Sequence, residues 1–183
     1  MDTMSPINTF LILLTAFVAV FLQAAFRGLF GTQLDLLPAL MVYATLTAGI
    51  PTVAALALCG GLWFDSLSAN PLGISVLPLA AIGYVISLRR DLILRDQAFA
   101  QFVIGLIASF AAPAITLLLM LTAGMNPLIG WGTLWQLLVM TIVGGAATPA
   151  LFRFFGSLTQ TFGYREISTP SFRPDREIRR GRN

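Results

Sequence analysis

Residues 48–52 read AGIPT, and they interrupt an otherwise apolar, uncharged run that extends from Leu36 to Phe64. As a single helix this run would be about 43 Å long, well beyond the roughly 30 Å of a bilayer's hydrocarbon core. Gly49 suits a helix C-terminus, and Pro51 suits the first turn of the next helix, where a missing N–H is not needed. The stretch therefore predicts two short helices joined in a tight hairpin. Read as one span, the chain would have five spans and an external N-terminus, which its charges alone tolerate. Hairpin length and the Gly-Ile-Pro break favour six.

The surrounding sequence is of the same kind. The chain has 183 residues, 57% hydrophobic and 10% charged, where soluble domains carry about 25% charged residues. Together with a mean hydropathy of +0.84, this places it in a membrane. Ile7–Phe26 makes a first span, with no basic leader before it and an apolar run too long for a signal-peptide core. The expected fold is an all-α membrane protein, a compact bundle of six transmembrane helices within residues 1–164, with spans near 7–26, 36–49, 51–64, 73–89, 98–122 and 133–155. Small-residue stretches such as AALALCGG and IVGGAATPA let helices approach closely where no hydrophobic effect drives them together. Residues 165–183, with six arginines, three acids and two prolines, read as a disordered cytoplasmic tail.

All 11 basic residues are arginine, against 8 acids. Arg89, Arg90 and Arg95 cluster after the fourth span, and Arg153 and the tail arginines follow the sixth, so the positive-inside rule puts both regions and both termini in the cytoplasm. The segment RRDLILRDQ fits either an interfacial element against lipid or a short solvated loop. The chain has no His and one Cys, Cys59. An internal disulfide and a cysteine-rich metal site are excluded, and metalloenzymes and His-dependent hydrolases lose their usual groups. No cofactor, metal or nucleic-acid partner is expected.

Asp65 is the only charged side chain between Leu36 and Leu88. At the bilayer centre it would cost on the order of 3 kcal/mol, so an interfacial position is expected. It is followed by Ser66, Ser68, Asn70, Pro71 and Gly73, all turn or cap formers. Asp65 is therefore read as accepting backbone N–H groups of an external turn, or as lying near the start of the fourth helix; the alternative is contact with a partner protein or an external ligand. Catalysis lacks a second carboxylate or His at a pairing distance in sequence. Gln23, Thr45, Thr47, Thr116, Gln136 and Thr141 read as interhelical or i−4 back-bonding groups in preference to a ligand pocket. Trp63, Trp131 and Trp135 on one side, and Tyr84 and Tyr164 on the other, read as an aromatic belt.

The stretch DLLPALMVYATLTAGIPTVAALALCGGLWFDSLSANPLGISVLPLAAIGYVISLRRD resembles the middle of the bacterial rod shape-determining MreD family. The resemblance rests on Leu37-Pro38 entering the second span and on the spaced set Gly61, Asp65, Ser68, Leu72 and Gly73. The close of the sixth span, ATPALFRFFGSLTQTFGY, is similar as well. It implies a non-enzymatic inner-membrane component of the cell-elongation machinery that helps coordinate lateral peptidoglycan synthesis. Its implied partners are the bitopic protein MreC, the actin-like filament protein MreB, RodA, a class B penicillin-binding transpeptidase and membrane lipids. The six-helix fold also resembles the substrate-capture subunits of energy-coupling-factor transporters, which implies as alternative a substrate-binding subunit for a vitamin or small molecule.

Overall fold

A computed structural model describes residues 6–30, 34–68, 70–89, 97–125 and 130–162. These contain six helices and no strand: α1 (Pro6–Phe30), α2 (Leu37–Thr47), α3 (Ile50–Leu67), α4 (Val76–Arg89), α5 (Ala98–Thr122) and α6 (Trp131–Phe162). Four of them, α1, α3, α5 and α6, are long and apolar enough to cross a membrane. The other two are apolar but shorter, with 11 residues in α2 and 14 in α4. Arg90, Arg95, Tyr164 and the arginine-rich tail lie outside the described residues.

The run from Leu36 to Phe64 breaks where AGIPT predicts. Ala48 and Gly49 are both extended, and α3 starts at once with Pro51 in its first turn. Gly49 has a negative φ, so the turn uses an ordinary extended backbone and needs no left-handed residue there.

Helix α2 is the centre of the bundle. Every residue from Leu37 to Leu46 is buried, which is how a helix apolar on all sides is accommodated. It packs against each of the other five helices. At about 16 Å it covers roughly half the hydrocarbon thickness. Tyr43 stacks on Phe155 of α6, ring centroids 4.4 Å apart, and meets Phe152 edge-on at 5.0 Å.

Helices α1 and α3 run side by side in the same direction. The Thr9 and Thr52 hydroxyls are hydrogen-bonded at 2.9 Å near their starts, and Phe17 meets Trp63 edge-on at 5.3 Å farther along. Trp63 is thus partly covered by protein, whereas Trp131, Trp135 and Tyr84 are exposed as a belt requires. The outward face of α1 carries Phe10, Val18 and Phe21, all exposed. Apolar residues in that position suit lipid and would not suit water.

Helices α5 and α6 are antiparallel and meet most intimately where glycines face small hydroxyl residues. A Cβ at Gly105 would fall inside the Thr148 side chain, and one at Gly144 inside Ser109. Backbone contact of this kind is what small residues provide in lipid. Of the polar residues expected to back-bond, Thr45, Thr47, Thr116 and Thr141 all donate to the carbonyl four residues earlier, at 2.7–2.9 Å. Gln23 does otherwise: it is buried, and neither end of its amide has a partner among the described residues.

Candidate functional site

The end of the bundle at which α3 finishes holds a constructed turn and, beside it, a cavity. Helix α3 stops at Ser68, an extended residue whose N–H reaches the carbonyls of Phe64 at 3.0 Å and Asp65 at 3.3 Å. Asp65 is 2% exposed. Its Oδ2 accepts the N–H of Gly73 at 2.8 Å and of Ser75 at 3.1 Å. Two hydrogen bonds to a carboxylate are stronger than neutral ones and fasten the returning chain onto the end of α3. Gly73 sits at φ +90°, a left-handed conformation that glycine adopts without penalty.

The other sequence-identified residues belong to the same construction. One turn below Asp65, the start of α4 lies directly on Gly61: a Cβ there would come within 2.9 Å of the Val76 Cα. The Ser68 hydroxyl lies at 3.4 Å from the Asp65 carbonyl oxygen. Leu72 is the exception, 73% exposed at the tip of the turn. Of the five, four hold the turn and the fifth faces outward. Of the basic group, Arg89 is exposed at the far end of α4, and it is not brought near this turn.

Asp35 was not singled out from the sequence. It lies two residues before α2 begins, and its Oδ1 accepts the Leu37 N–H at 3.0 Å, which satisfies the first N–H of the helix. Burial pushes its carboxyl up to about 7; the Leu37 N–H opposes this, and the nearby Asp65 charge adds to it. A signal for this pairing exists: Asp35 lies 14 residues before Gly49 and Asp65 lies 16 after it, so an antiparallel hairpin brings both acids to the same end.

Asp35 borders a cavity of about 190 Å³ between α4, α5 and α6. Leu79, Met120 and Met140 supply apolar wall, while Asn70, Thr116 and Gln136 supply uncharged polar groups. Thr116, which back-bonds to Ala112, and Gln136 thus border this space. Pro113, also on the wall, lacks the N–H that would bond the Ser109 carbonyl, which loosens α5 where the cavity opens. A second space of about 20 Å³ beside Gln23 and Arg27 has room for about one water.

No family model matches the chain, and no curated protein or solved structure matches it. The class therefore follows from the fold: an all-helical bundle whose four long apolar helices suit a membrane protein.

Proposed function

We propose that the chain is a non-enzymatic scaffold of the bacterial cell-elongation machinery, a six-span inner-membrane protein with both termini in the cytoplasm. The observation that supports this reading most directly is the α3–α4 turn. Of the five spaced residues of the MreD resemblance, scattered over thirteen positions of sequence, four form one clamp that fixes the turn, and Leu72 stands outward. Leu67 and Leu77 beside it are also exposed, so the turn carries a small leucine ridge. With Arg89 on the cytoplasmic side, this ridge faces outward from the cell, where an MreC-like bitopic partner has its external part. MreB-like filaments would act on the opposite side, with RodA and a class B transpeptidase as further partners in the membrane.

Depletion in the source bacterium is expected to round rod-shaped cells. A photocrosslinker at Leu72 should capture a single-span membrane protein, and Leu72→Asp should release that partner without unfolding the bundle. Retention of both partner and shape in Leu72→Asp sinks the reading.

A second reading, a substrate-binding membrane subunit for a small molecule, is favoured by the cavity at Asp35. Copurification with an ATPase-coupled membrane subunit would support it over the scaffold.

A further inference from the structure

We propose that the cavity between α4, α5 and α6 binds a small organic cation, an amine on an apolar body, with its charged end at the Asp35 carboxyl. This rests on the second reading above and gives that reading a ligand class.

Size comes first. A volume of about 190 Å³ lies below the roughly 300–1,000 Å³ of drug-sized sites, so the ligand is small. Lining comes next. The wall is mostly apolar, with Phe64, Leu79, Met120 and Met140 available to a hydrocarbon or aromatic body, and Gln136 and Asn70 available as amide acceptors. Aromatic and thioether side chains suit a cationic, apolar guest.

Charge decides the class. Among the described residues that line the cavity, Asp35 is the only charged one, and no basic side chain accompanies it. Asp65 lies close enough for its charge to act on Asp35. Its Oδ1 is buried and has no hydrogen-bond partner among the described residues. Two carboxyls, with no basic side chain on the cavity wall, disfavour an anion, and a neutral guest gives Asp35 no partner that favours its charged form. A cation supplies the missing charge at short range in a low-dielectric site.

The same arrangement implies a proton exchange. Asp65 is the titratable group that α3 presents near Asp35; α2, α4, α5 and α6 present no charged side chain to the cavity, and Arg27 of α1 lies beside Phe64 and Ser68, off the cavity wall. The empty site holds a proton on Asp35 up to about pH 7. An arriving ammonium displaces it, so affinity should rise with pH across neutrality and level off above it.

The test uses the full chain in lipid nanodiscs with three probes of similar size: 2-phenylethylamine, 2-phenylethanol and 3-phenylpropionate. Saturable binding is measured by calorimetry and saturation-transfer NMR between pH 5 and 8. The amine is expected to bind at least about tenfold more tightly than the alcohol at pH 8, since a hydrogen bond to a charged group is worth more than one factor of ten. The acid should show no saturable binding. Asp35→Asn should lower amine affinity about tenfold and flatten its pH profile. Thr116→Phe, which fills the cavity and leaves Asp35 in place, should abolish binding and report the lipid partition of the amine. If Asp35→Asn does not fold, Thr116→Phe and the wild-type pH profile decide.

Equal binding of amine and alcohol, or an unchanged amine affinity in Asp35→Asn, overturns the cation assignment. Saturable binding of the alcohol alone does so while leaving the small-molecule reading intact. Absence of saturable binding by all three probes overturns both.

Discussion

Helices α5 and α6 share one seam, and its two halves are built differently. In one half Gly105 faces Thr148 and Gly144 faces Ser109, with backbones so close that no Cβ fits. In the other half Thr116 and Met120 face Gln136 and Met140, and the helices part around the cavity. The chemistry of the two halves is otherwise alike, apolar with scattered hydroxyls. In a medium where lipid is as apolar as leucine, helices close by van der Waals contact, so the small facing side chains seal one half, while larger ones and Pro113 border the opening in the other.

That contrast can be broken most severely from its closed half. Gly105→Val places a branched side chain where Thr148 stands, and overpacking of this kind costs about 1–3 kcal/mol or more. The expected result is a large loss of folded protein, read from the unfolding midpoint in mixed micelles. Adding Thr148→Ala should recover part of the loss, because residues in direct contact couple. Full additivity of the two substitutions would show that the seam does not depend on this contact.

The next largest effect belongs to the turn that closes the cavity end. Asp65→Ala removes the acceptor for one buried and one part-buried N–H group, and the expected cost is roughly 2 kcal/mol. Hydrogen exchange at Gly73 and Ser75 should quicken together, ahead of global unfolding. Asp65→Asn keeps one acceptor oxygen and should cost less.

Asp35 on the open half gives an effect with a defined sign. Its folded carboxyl titrates near 7 and its unfolded one near 3.8. Between these values the folded chain holds a proton that the unfolded chain has lost, so stability falls as pH rises through the window and is level on either side. Melting temperatures at pH 4, 6 and 8 should trace that fall in the wild type, and Asp35→Asn should remove this component of it. At the small end, Trp131 is 84% exposed, and Trp131→Ala should change stability by no more than about 0.5 kcal/mol.

Much of this was legible before any coordinates. A proline and a glycine in the middle of an overlong apolar run predict a break, because covalent geometry acts locally. The four back-bonding threonines follow from the same locality, since a helix always offers the i−4 carbonyl. Asp65 was legible as a turn anchor because its donors, Gly73 and Ser75, lie within ten residues of it. Asp35 was not, since a charge at the edge of an apolar run looks like an ordinary boundary until the hairpin is folded and Asp65 comes alongside. The cavity was hidden for a related reason. Thr116 and Gln136 look like packing residues singly, and only the register of α5 against α6 shows that they face the same space. Gln23 departs from the pattern entirely, with a buried amide that has no partner at either end among the described residues.

The short central helix has a consequence for how the chain is made. At 11 residues, α2 is too brief to hold a place in a bilayer alone, and apart from α1 the surfaces that enclose it belong to helices made later, up to α6. Its cover is therefore incomplete until α6 has been made. Nascent chains halted after α4 should therefore remain associated with the insertion machinery or with a membrane chaperone, and release should coincide with emergence of α6. Early release of such truncated chains as stable, protease-resistant species would refute this order of assembly.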